Sequence, residues 1–63
     1  MNVELAPNTH KFMARIAQTL SENAARMLEP VKDMPIHQQA LTPNYAIAYA
    51  IKDVSDTIRR ELE

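Results

Sequence analysis

The sequence predicts an all-α protein: a small helical hairpin of two main helices, about residues 9–29 and 43–61, with a proline-rich linker packed back against them. Three observations support this. Apolar residues recur three and four apart in both long segments. Three of the four prolines, Pro30, Pro35 and Pro43, bracket the region between them. Alanine, the best helix former, fills positions in the second segment where a strand would need β-branched residues.

Sixty-three residues form one small domain at most, 1–63, in the size range where a single hydrophobic core is marginal without reinforcement. The chain has no cysteine, which removes disulfides and thiolate zinc sites, and its two histidines, His10 and His37, stand far apart. Self-association, or docking on a larger partner, is the reinforcement left. With 46% hydrophobic residues the composition is that of a folding chain.

Residues 1–7 are expected to form an extended N-terminal arm. Val3 and Leu5 alternate with Asn2 and Glu4, a short strand-like pattern. Such an arm serves as an apolar strap across a helix pair. In a ribbon-helix-helix repressor it would instead enter the DNA major groove, with Asn2 and Glu4 as readers. The lack of Arg or Lys among those readers favours the strap.

Pro7-Asn8-Thr9 leads into the first helix, with Asn8 or Thr9 as the expected N-cap. From His10 to Glu29 the apolar residues Phe12, Met13, Ile16, Ala17, Leu20, Ala24, Met27 and Leu28 project onto an arc of about 160°. Lys11, Arg15, Gln18, Glu22, Ala25, Arg26 and Glu29 occupy the other side. Glu22 and Arg26 stand at i,i+4 in the favourable order, and Pro30 ends the helix.

The linker, residues 30–42, carries Val31, Met34, Ile36 and Leu41, too apolar for a free tether. It is therefore expected to fold over the helices, with a helical turn within Ile36–Leu41. Thr42-Pro43 then opens the second helix, Thr as N-cap and Pro at the first helical position. Ile47, Ile51, Val54 and Ile58 alternate at +4, +3 and +4, a seam of coiled-coil type expected to meet Phe12, Ile16, Leu20 and Met27. Tyr45 and Tyr49 lie nearly opposite that seam, with Lys52, Asp53 and Asp56 continuing their row. One hairpin covers only one of these two faces. A dimeric helical bundle is the expected outcome, the tyrosine face being met by the linker, a second subunit or a different protein.

Several function classes are excluded. Phosphate-cradling loops, EF-hand loops and nucleophile elbows all depend on glycine, and the chain has none. Asp53 and Asp56 interleave with Lys52, Arg59 and Arg60, the pattern of a solvated face rather than of acid–base chemistry. Neither histidine has a persuasive second ligand at i+3 or i+4. No catalytic, cofactor-binding or metal site is therefore expected. A net charge of −1 argues against a dedicated nucleic-acid or anionic-membrane binder. No apolar run reaches the ~18 residues that span a bilayer, and no signal-peptide pattern is present, so a cytoplasmic location is expected. The helix-Pro-linker-helix plan is shared by many small bacterial and phage proteins, a likeness that carries no residue-level role.

The function these residues point to is a non-enzymatic protein–protein interaction module: a regulator, adaptor or assembly subunit. It would act through a helical surface and self-association, as a homodimer first of all, with a protein partner. Tyr45, Tyr49, Lys52 and Asp56 are the candidate contacts, since tyrosines concentrate at binding hot spots. The rival is a small nucleic-acid-binding transcriptional regulator of ribbon-helix-helix or other helical dimer type, using Asn2, Glu4, Lys11 and Arg15.

Overall fold

A computed structural model describes residues 7–63; the expected arm, apart from Pro7, lies outside the described residues. The order is helix α1 (Pro7–Leu28), a 3-10 turn (Glu29–Val31), a single helical turn α2 (Ile36–Gln39) and helix α3 (Pro43–Leu62). The described residues contain no strand. The two long helices pack on each other as an antiparallel hairpin, with extents of 43 × 20 × 14 Å. The radius of gyration is 14.5 Å, against about 10.6 Å for a compact chain of this length.

The ends follow from local chemistry. Helix α1 already includes Pro7, which lacks the N–H that a first helical turn leaves unused. Asn8 and Thr9 thus sit inside the first turn rather than capping it. At its other end α1 runs into the 3-10 turn at Pro30, and Lys32 N–H bonds to the Glu29 carbonyl. Without glycine the left-handed helix ending is unfavourable, and no described residue has a positive φ. Helix α3 starts as expected: Thr42 Oγ1 accepts from Tyr45 N–H at 3.1 Å, with Pro43 next to the cap.

The connection is less packed than the sequence suggests. Val31 is buried, but Met34, Ile36 and Leu41 are 36%, 65% and 84% exposed. The space between α1 and α3 is filled by small side chains, so the linked end of the hairpin has little room for a plug beyond Val31. Hydrogen bonds shape this segment instead. Gln39 Nε2 donates to the Met34 carbonyl at 2.9 Å, and Thr42 Oγ1 donates to the Gln39 carbonyl at 2.7 Å. Asn44 Nδ2 donates to the Met27 carbonyl at 2.9 Å, tying the start of α3 to the end of α1.

The helix–helix contact is the main departure from expectation. Among the described residues the buried ones are Ala17, Ala24, Val31, Ala48 and Ser55, and the largest fully buried side chain is Ser55. Ala17 and Ala24 are one heptad apart on α1, as are Ala48 and Ser55 on α3. Small residues at that spacing let two backbones approach closely. Ser55 Oγ reaches across to donate to the Ala17 carbonyl at 2.7 Å, and Ser21 Oγ lies 2.8 Å from it. The expected Ile47–Ile51–Val54–Ile58 seam does not meet Phe12, Ile16, Leu20 and Met27 head-on. It flanks the contact, because branched side chains on that line would hold the helices too far apart for the Ser55 bond.

Two polar links close the far end of the hairpin. His10 Nε2 lies 3.0 Å from the Leu62 carbonyl, and Arg59 Nη2 donates to Gln18 Oε1 at 2.9 Å. The ion pairs among the described residues are Glu29–Lys32 at 2.6 Å and Lys52–Asp56 at 3.1 Å. The expected Glu22–Arg26 pair is not among them. Both observed pairs are solvent-exposed, so each contributes at most a few tenths of a kcal/mol.

Candidate functional site

The hairpin is one layer of two helices, and the small-residue contact line divides its surface into two broad faces. Each residue turns the helix by about 100°. Because the helices run antiparallel, equal rotation from the contact line leads to the same face of the hairpin on both. Ile51, Ile58, Ile47 and Val54 come round one flank of α3. Leu20, Met27 and Ile16 come round the matching flank of α1, with Phe12 at its margin. The two sets that the sequence placed against each other therefore lie side by side, as one apolar face. Ile47, Val54 and Phe12 are 46%, 52% and 63% exposed, and Ile16, Leu20, Met27, Ile51 and Ile58 are half-buried.

The opposite face carries the predicted contact residues. The Tyr45 and Tyr49 rings stand one turn apart, with centroids 4.5 Å apart and planes tilted by 40°. Tyr45 is half-buried, while Tyr49 is 44% exposed. Lys52 and Asp56 continue the row and pair with each other. All four candidates therefore share one flank of α3, as expected. Its other wall comes from α1 and was missed by sequence reasoning. A cleft of about 230 Å³ lies between Tyr49 and Lys52 on one side and Ser21, Ala25 and Leu28 on the other, with Ala24 and Ala48 completing the lining. The signal that could have found it is the run of small residues Ser21, Ala24 and Ala25, which leaves a hollow beside a tyrosine. The lining is mostly apolar.

The nucleic-acid candidates divide. Lys11 and Arg15 are exposed one turn apart on α1, around a shallow depression with Asn8 and Phe12. Asn2 and Glu4 lie outside the described residues. Among the described residues no group of three His, Cys, Asp or Glu side chains could hold a metal ion. No helix among them is long and apolar enough to cross a membrane. Compared with protein-family models, characterised proteins and solved structures, the chain shows no significant match.

Proposed function

We propose that this chain is a non-enzymatic interaction protein, a regulator, adaptor or assembly subunit acting through its helical surface and by self-association in the cytoplasm. One observation carries the proposal. Among the described residues, the side chains that the hairpin fully buries are small apart from Val31, while Ile47, Val54 and Phe12 stay exposed and Ile16, Leu20, Met27, Ile51 and Ile58 are only half-buried. A protein built that way keeps its main apolar surface for other molecules.

The magnitude is large for so small a chain. Fully burying a Val, Ile or Phe side chain is worth roughly 1.5–3 kcal/mol. The exposed fractions of Ile47, Val54 and Phe12 together amount to about one and a half such side chains. Covering them would add roughly 2–5 kcal/mol per hairpin. The whole stability of a 63-residue domain is roughly 3–9 kcal/mol, so association is comparable with folding itself.

On the other face, Tyr45, Tyr49, Lys52 and Asp56 are the contacts for a protein partner. A tyrosine pair beside an apolar cleft offers a rigid anchor with polar edges, the usual make-up of a binding hot spot. Nucleic-acid binding would rest on Lys11 and Arg15 alone among the described candidates. DNA binding titrated with salt separates the two, because phosphate contacts lose affinity steeply as salt rises.

Light scattering across a concentration series tests the proposal. Mass above that of the 7.2 kDa chain, falling on dilution, is the expected result. A chain that stays at 7.2 kDa up to the highest concentration refutes self-association.

A further inference from the structure

We infer that the apolar face formed by Ile16, Leu20, Ile47, Ile51, Val54 and Ile58 is covered by the same face of a second copy. The two hairpins stack as a two-fold symmetric four-helix bundle and leave the tyrosine clefts on its outside. This rests on the self-association proposed above and specifies which surface performs it.

Area is the first argument. The face is two helices wide, within the 20 Å breadth of the hairpin, and follows α3, whose 20 residues extend about 30 Å. Its footprint is thus up to about 600 Å² per copy, about 1,200 Å² for two, the lower end of the range for stable interfaces. A short peptide would leave much of such a face wet, whereas a second hairpin matches it in length and breadth.

Charge is the second argument. Between the contact line and Val54 on α3, and as far as Asn23 just past Ile16 on α1, the flanks carry apolar residues with Thr9, Asn23 and Asn44 and no charged side chain. Glu61 is the nearest charge, at the outer rim of α3. An uncharged face selects no charged partner, and nothing in it repels a copy of itself. A two-fold interface requires just this self-complementarity.

The third argument is packing. The apolar residues of this face alternate at four and three along α3, and on α1 Ile16, Leu20 and Met27 keep the same register with Asn23 at the intervening position, the spacing that four-helix bundles bury between their layers. Each hairpin already supplies one antiparallel pair held by small residues. Stacking the branched residues of two such pairs builds the large-side-chain core that one copy lacks.

Charge insertion tests the assignment. Ile47→Lys and Val54→Lys each put two lysines into the stacked face of a dimer, and Tyr49→Lys puts them into the clefts. Sedimentation equilibrium should show the dimer dissociation constant raised at least ~100-fold by either face substitution, since each buried ammonium must be desolvated. Tyr49→Lys should change it less than ~3-fold. Dimerisation that survives Val54→Lys but is lost in Tyr49→Lys overturns the assigned face while leaving self-association standing. A wild-type chain that never associates overturns both. If the face variants unfold, single cysteines decide the matter in this cysteine-free chain. A short bis-maleimide should link Val54→Cys into covalent dimers in dilute solution and should not link Asp53→Cys, on the outer side of α3. Equal cross-linking at the two positions overturns the inference.

Discussion

Ser55→Leu is the substitution that most sharply separates a small-residue contact line from a branched-residue seam. Ser55 is 0% exposed, and its Oγ makes two short contacts, to the Ala17 carbonyl and to Ser21 Oγ. Removing them costs about 1 kcal/mol each. Forcing a leucine between backbones this close adds about 1–3 kcal/mol of overpacking. The total, about 3–5 kcal/mol, is a large part of the roughly 3–9 kcal/mol expected for the whole domain. Ser55→Ala removes only the hydrogen bonds, about 1–2 kcal/mol, and should lower Tm by roughly 5–15 °C. The control is Ala50→Leu, the same enlargement on the exposed side of α3, which should stay within about 0.5 kcal/mol. Thermal melts followed by circular dichroism, at one fixed protein concentration, read all three. If Ser55→Leu and Ala50→Leu melt together, the close contact line is wrong and the helices are held apart by their branched residues.

Other substitutions test separate parts. Thr42→Ala removes the α3 cap and should cost about 1 kcal/mol in urea unfolding. Asn44→Ala breaks the link to the Met27 carbonyl and should cost a similar ~1 kcal/mol, read in the same titration. Leu41→Ser, at a position 84% exposed, should shift stability by less than about 0.5 kcal/mol, and a large loss would mean that the connection packs on something after all. Tyr49→Ala should leave helix content unchanged while weakening capture of a protein partner, and retained binding would refute its role as a contact.

Helix type and position were legible because they rest on local signals. The three-and-four periodicity of Phe12 to Leu28, the Thr42-Pro43 start and the stop at Pro30 are each decided within a few residues. The start of α1 was placed two residues late, since Asn8 and Thr9 look like caps and Pro7 serves equally well inside the first turn. The facing surfaces were not legible from hydrophobicity. Ile47, Ile51, Val54 and Ile58 attract the eye as a seam because they are the most apolar set. The hairpin instead brings Ala17, Ala24, Ala48 and Ser55 together, with close approach of the backbones and two cross-helix hydrogen bonds of Ser55, to the Ala17 carbonyl and to Ser21. The heptad spacing of those small residues is present in the sequence, but alanine is so common in helices that it carries little weight there. The grouping of Tyr45, Tyr49, Lys52 and Asp56 was foreseeable from their spacing on one helix. The wall that Ser21, Ala25 and Leu28 build beside them depends on how α1 is turned, which only the packed hairpin shows.

The central claim is that a single hairpin leaves one apolar face incompletely buried, with Ile47 and Val54 exposed on it, and that a second copy covers that face. Thiol labelling of Val54→Cys tests it most directly, because the chain has no other cysteine. Labelling should be fast at concentrations where the protein is monomeric and slow down as the dimer forms. A thiol that stays slow in the dilute monomer would place Val54 inside the hairpin, and one that stays fast in the concentrated dimer would place the interface elsewhere; either result contradicts the account.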